Sequence, residues 1–309
     1  MTQQARIDKG MYWDRALTLV SGCTPVSPGC DHCWGASEAH MRAGQTNEKI
    51  KAIYGGLTTT SGKWNGQVRF LHERLAIPKR VKKPTVLAVW MDLFHPDVSP
   101  LAIVLTLRMM DDCPQHTFLV LTKRPEVALE HFTKNSMFVN RPLPKNLWMG
   151  VTAENQEQAD KRIPILLQIP AAVRFVSVEP MLGPVRLDQL ARRAKCDDWT
   201  YFDNALTGFK AHKAGGWYEN KLDWAICGGE TGPGARPMHP DWARSLRDQC
   251  QAAGVPFFFK QWGEWHPDSK GIYERGDSVI FGNTVVHRVG KKIAGRLLDG
   301  VEWNEMPEA

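Results

Sequence analysis

The chain has no run of about 18 apolar residues, so no helix in it is expected to cross a membrane. Residues 1–9 are polar and lack the apolar stretch of a secretory signal, so a cytoplasmic protein is expected. No internal repeat and no low-complexity tract stands out. The cysteines number seven, an odd count, and in a reducing compartment this argues for ligands and free thiols over disulfides. What is present is ordinary for a folded protein. The 309 residues are 43% hydrophobic and 23% charged, enough for a sizeable core in one large domain or two small ones. The net charge of +6 permits nucleic-acid or nucleotide binding without requiring it. Twelve tryptophans are many for this length; some can stack on bases, though most belong to cores and interfaces.

Three of the cysteines fall in one stretch. Cys23, Cys30 and Cys33 are spaced C-x6-C-x2-C, and Gly22, Pro25, Pro28 and Gly29 make the segment a loop. An apolar run at 16–20 precedes it as a strand, and a helical stretch at 36–43 follows. A structural zinc site normally takes four Cys or His ligands. A [4Fe–4S] cluster held by three cysteines keeps one iron free. No fourth cysteine is near in sequence, and His32 sits beside Cys33, where joint ligation is awkward. Spacing alone leaves both centres open.

The rest of the chain repeats an apolar run, a polar tip and a helical segment. The runs lie at 85–91, 117–121, 147–151, 174–178, 224–227 and 255–259. They are near-continuously apolar, as strands buried on both faces are. With the strand before the cysteines and another at 67–70, about eight βα units result. This predicts an α/β fold, a full or partial (β/α) barrel. It spans 1–265, with a cluster loop at 21–34 and an insertion at 186–222, and a C-terminal extension covers 266–309. Ser99 with Pro100, and Asn155, have the chemistry of helix N-termini.

Barrel sites lie at the carboxyl ends of strands. Those tips carry Asp92, Lys123, Arg124, Glu154, Glu179, Glu230 and Lys260 besides the cysteines, and the topology predicts that they converge on one rim. The insertion interleaves Arg186, Arg192, Arg193, Lys195, Lys210 and Lys213 with Trp199, Tyr201, Phe202, Phe209, Trp217 and Tyr218. That mixture suits phosphate contacts with base stacking, or equally a solvated loop. Residues 285–292 read as a hairpin with a basic tip, and the basic cluster at 79–83 as a solvated face.

The motifs at 22–33, Asp-Leu-Phe-His (92–95), Leu-Thr-Lys-Arg-Pro (121–125) and Gly-Val-Thr-Ala-Glu-Asn-Gln (150–156) continue at 178–184, 228–238, 259–263 and 290–296. Together they resemble a phage-associated three-cysteine family described as radical-SAM-like, from about residue 12 onward. The resemblance implies a radical-SAM-type barrel in which Cys23, Cys30 and Cys33 hold a [4Fe–4S] cluster and S-adenosyl-L-methionine chelates the free iron. It implies that His32 and Gly228-Gly229-Glu230 line the cofactor; by their own chemistry Glu154 could accept cofactor hydrogen bonds and Lys123, Glu179 and Lys260 could serve catalysis, or Lys260 could simply pair with a neighbouring glutamate. The chain departs from that superfamily's usual pattern in three ways. The first cysteine gap is longer than C-x3-C, His32 stands where an aromatic usually precedes the last cysteine, and Gly228-Gly229-Glu230 follows a late strand.

Some phage members resemble enzymes of thymidine hypermodification. The implied substrate is therefore a modified thymidine in DNA, and the reaction an isomerisation of 5-Nα-glycinylthymidine to 5-Cα-glycinylthymidine. A base in duplex DNA must leave the stack to reach such a pocket. An electron donor such as flavodoxin is the implied partner, and the host cytoplasm the implied location if the chain is phage-encoded. Two other functions stay open: a radical SAM enzyme repairing a DNA lesion, and a non-catalytic zinc-binding nucleic-acid module with Cys227 as a fourth ligand.

Overall fold

A computed structural model of the protein describes residues 6–7, 9–134, 142–193, 200–212, 215–267 and 277–308. The chain divides into two compact units, one of Trp13–Val151 with Ile169–Ala172, the other of Met1–Tyr12, Thr152–Gln168 and Val173–Ala309.

The first unit opens with β1 (Arg15–Thr18) and β2 (Val20–Ser21), then the cysteine loop, α1 (Trp34–Ala43) and α2 (Glu48–Tyr54). After β3 (Arg69–Phe70) come β4 (Val86–Trp90), α3 (Pro100–Asp111), β5 (Thr117–Thr122), α4 (Pro125–Lys134) and β6 (Leu147–Thr152). Strands β1, β4, β5 and β6 pair in parallel, in that order. Every residue of β6 is buried, the signature of a strand covered on both faces. Helix α3 starts where Ser99 accepts from the Ala102 amide, with Pro100 at its first position.

The second unit carries α5 (Gln156–Leu166), β7 (Val173–Val178), four short strands β8 (Leu190–Arg193), β9 (Thr200–Asp203), β10 (Phe209–His212) and β11 (Gly215–Tyr218), then β12 (Trp224–Gly228). It continues with α6 (Pro240–Ala253), β13 (Phe257–Gln261), β14 (Trp265–Pro267), β15 (Ser278–Phe281), β16 (Thr284–Arg288) and α7 (Lys291–Ala294). Parallel pairing joins β7 to β12 and β12 to β13. Asn155 caps α5 by accepting from the Gln158 amide. Fully buried Trp224 packs edge-on against Tyr12 at 5.4 Å and Phe258 at 6.2 Å. The tail then covers β13. Phe259 donates to Trp303 O, Glu305 to Phe257 O, and Trp262 to Gly295 O.

The fold is α/β, and the main sheet has the order β1-β4-β5-β6-β7-β12-β13. Among the described residues it has seven strands, one fewer than the sequence predicts. The expected strand at 67–70 is β3, two residues paired antiparallel with β2. The reason is local. Gly22, at φ +90°, lets Gln67 O come so close that a Cβ would stand 1.9 Å from it, and this contact turns the segment back on β2. The expected hairpin at 285–292 is also corrected. The hairpin is β15–β16, and Lys291 and Lys292 lie on the α7 turn that follows it.

Candidate functional site

In the first unit the cysteine loop follows β2. A single 3-10 turn, Pro28–Cys30, is closed by Cys30 N donating to Ser27 O at 2.9 Å. Cys33 occupies the N-cap of α1. Cys23, Cys30 and Cys33 are free thiols, each partly exposed. Cys23 and Cys33 pack with Met91 against one apolar cluster built on Ala36, Ala39, Tyr54, Leu57 and Trp64. Burial pushes the Cys23 thiol up, Asp92 adds to this, and Arg124 opposes it. Trp34, next to Cys33, is exposed and meets Trp90 edge-to-face at 4.9 Å. His32 is exposed.

Beside Cys23 lies a polar hub made by the tips of β4 and β5. Asp92 and Arg124 are both buried and form an ion pair at 2.8 Å. Thr122 Oγ1 donates to Asp92 Oδ1 at 2.6 Å, and the Lys123 amide donates to Oδ2 at 3.3 Å. Arg124 Nη2 donates to Thr24 O and Thr24 Oγ1, both at 2.7 Å, and Nη1 donates to Cys23 Sγ at 3.7 Å. His95 completes the hub, with Nε2 2.8 Å from Thr24 Oγ1. Its Nδ1 accepts from the Asp97 amide, so the neutral ring carries its proton on Nε2. Burial, then Arg124, holds His95 below its usual value of 6.5. A histidine kept neutral in the fold binds fewer protons than it does unfolded, so its contribution to stability falls as pH drops through about 6.5. We predict that denaturant melts from pH 7.5 to 5 lose stability with acid, and that His95→Gln flattens this slope.

In the second unit the tips are ion-paired. Glu154 is fully buried, and Arg162 Nη1 donates to its Oε2 at 2.9 Å and to Thr152 O at 2.8 Å. Glu230 is buried, with Arg236 Nη2 at 2.6 Å from Oε1 and both Nε and the Arg236 amide at 2.8 Å from Oε2. Glu179 and Lys260 remain partly open, with side chains 17% and 18% exposed. Lys260 Nζ donates to both oxygens of Glu179, at 2.7 and 3.0 Å, and lies 5.9 Å from the Tyr12 ring centre. Burial, and then Glu179, pushes the Tyr12 phenol far up. Lys291 is pushed down by burial and by Lys260. A Cβ at Gly228 would stand 3.2 Å from Glu179 Cδ, and one at Gly229 would stand 1.9 Å from Trp262 O. The two glycines thus let a carboxylate and the backbone just after β13 come close. Two of the expected cofactor carboxylates, Glu154 and Glu230, therefore hold strand-end loops to arginines, while the Glu179–Lys260 pair stays partly exposed.

The insertion forms two antiparallel pairs, β8–β9 and β10–β11. Its described basic side chains are largely neutralised in place. Arg192 forks onto Asp203 at 2.7 and 3.2 Å, Lys210 lies 3.4 Å from Asp203, and Arg186 pairs with Asp188. Arg192 also sits over the Tyr201 and Trp217 rings at 5.3 and 5.9 Å. Phe202, Trp217 and Tyr218 stay exposed. The side chains of Arg193, Lys195, Lys213 and Trp199 lie outside the described residues. Cys227 is fully buried in β12, its thiol on Met181 Sδ at 3.7 Å.

Among the described residues, no group of three or more His, Cys, Asp or Glu side chains is arranged to hold a single metal ion. A mononuclear site needs all its ligand atoms about 2.0–2.3 Å from one metal. A cluster that gives each thiolate its own iron sets no such demand, and three free, partly exposed thiols on one loop have the donor chemistry for it. The sequence named all three thiols. It did not join Asp92 to Arg124, whose signal was only their position at adjacent strand tips.

Residues 9–307 match the model of the family described as "Protein of unknown function (DUF5131)", and the chain belongs to that family. No curated protein and no solved structure matches it.

Proposed function

We propose that this DUF5131 protein is a radical SAM enzyme that isomerises 5-Nα-glycinylthymidine to 5-Cα-glycinylthymidine in phage DNA. The observation that carries the reading is the trio of free thiols, Cys23, Cys30 and Cys33, on the loop between strand β2 and helix α1. Cys23, Cys30 and Cys33 would hold a [4Fe–4S] cluster. When bound, it and S-adenosylmethionine supply one-electron sulfonium cleavage and hydrogen abstraction from an unactivated carbon. The chain's own part is to bind, orient and exclude water. The apolar cluster under Cys23 and Cys33 shields that side of the loop from solvent. Lys260, paired to Glu179 and partly open, is the cation suited to a carboxylate or phosphate oxygen of the substrate, and Glu179 the acceptor for an amine or hydroxyl. Lys123, half-buried beside the hub, is a second such cation.

The test supplies reconstituted protein with S-adenosylmethionine, a reductant and glycinylated DNA, then digests the DNA for mass spectrometry. The expected result is a nucleoside isomer of unchanged mass and altered retention, together with 5′-deoxyadenosine. Absence of both products would reject the proposal. Formation of 5′-deoxyadenosine only on ultraviolet-damaged DNA would move the activity to lesion repair.

A further inference from the structure

The hub beside Cys23 is more elaborate than a strand-end ion pair requires. Arg124 is buried, yet four acceptors surround its guanidinium: Asp92 Oδ2, Thr24 O, Thr24 Oγ1 and Cys23 Sγ. Three of the four belong to the cysteine loop and the fourth to the tip of β4. Asp92 is fixed in turn by Thr122 Oγ1 and by the amides of Phe94 and Lys123. Arg124 is oriented by its own amide, which donates to Thr122 Oγ1 at 2.9 Å. His95 Nε2 also lies 2.8 Å from Thr24 Oγ1. The donor that faces Cys23 sulfur is thus held in place by contacts to the tips of β4 and β5.

We propose that Arg124 is a positioning residue for Cys23. Nη1 anchors on Asp92 while Nη2 forks onto Thr24 O and Oγ1, which holds the loop at Thr24 before any cofactor binds, and the Nη1 donation to Cys23 sulfur raises the reduction potential of a cluster ligated through that sulfur. The second half rests on the cluster reading above; the first does not. The physical reason for the first is that a bidentate guanidinium fixes direction as well as distance. The reason for the second is that a cationic hydrogen bond to a ligand sulfur favours the more negative, reduced state. Lysine keeps the charge but cannot span Asp92 and Thr24 together, so Arg124→Lys separates the two effects.

The experiment has two arms, each run on the wild type, Arg124→Gln and Arg124→Lys. In the cofactor-free chain, hydrogen–deuterium exchange is followed on peptides covering 21–34. Both variants are expected to exchange there at least tenfold faster, with the peptides of β6 and β12 unchanged. Wild-type exchange in both variants would overturn the positioning role. If Arg124→Gln melts globally, Thr24→Val, which removes one acceptor and leaves the Asp92 pair, is expected to loosen the same peptides; no change there would be equally decisive. In the reconstituted protein, a spectroelectrochemical titration reads the potential. Arg124→Gln is expected to weaken reduction at least tenfold, about 59 mV for one electron, and Arg124→Lys to recover most of it. A potential unmoved by Arg124→Gln would refute the tuning. A wild type that takes up no iron would refute the cluster reading, and with it the tuning, while leaving the exchange arm to decide the positioning.

Discussion

Glu154→Ala is expected to destabilise the protein by about 3–5 kcal/mol, the cost of leaving a buried charge without its partner. Glu154 has no exposed surface, and Arg162 opposite is nearly as deep. The arginine is satisfied by two acceptors, the carboxylate and the Thr152 carbonyl. Removing one of them strands a guanidinium that cannot lose its proton. The Leu182 amide also donates to the Glu154 backbone carbonyl at 2.7 Å just after β7, a bond that alanine keeps, so the loss reads the side-chain pair. Equilibrium denaturation in urea measures the loss. The double variant Glu154→Leu with Arg162→Met should recover much of it, because well-packed apolar groups replace a buried pair at little net cost. A single-variant loss under 1 kcal/mol would show that the pair is solvated in solution.

Cys30→Ala is expected to abolish S-adenosylmethionine cleavage while leaving the fold intact. Cys30 ends the short turn of the loop, and its own backbone makes the closing hydrogen bond, so alanine keeps the turn. Its side chain is partly exposed and lies outside the apolar cluster that receives Cys23 and Cys33. Little packing is lost with the sulfur. The measurement is 5′-deoxyadenosine produced per chain under reducing, anaerobic conditions, beside a far-ultraviolet circular dichroism melt. Full cleavage by Cys30→Ala would remove this thiol from the chemistry. A collapsed melt would instead give Cys30 a structural role.

Much of the fold was legible because its strands are continuous apolar runs. Residues 147–151 and 224–227 read as buried strands and are buried at every position. The caps at Ser99 and Asn155 were legible for a similar reason, since a cap acts within three residues of itself. The loop of Cys23, Cys30 and Cys33 was visible from spacing alone. Partners were not visible. A charged tip shows its type in sequence, but its use depends on what the fold brings opposite it. Glu154, Glu179 and Glu230 look alike as strand-end glutamates, yet one meets a buried arginine, one a half-open lysine, and one a guanidinium fork. In the insertion, too, the partners of the basic residues were not visible. Arg192 and Lys210 suggested phosphate contacts, and both turn to Asp203. Residues 67–70 read as one more parallel strand because β-rich composition does not reveal direction, which here is set by the close contact at Gly22.

The most direct measurement is anaerobic iron and acid-labile sulfide analysis of the reconstituted full chain, with zinc determined on the same sample. About four irons and four sulfides per chain are predicted, as a cubane cluster requires. About one zinc, with neither iron nor sulfide, would contradict the account.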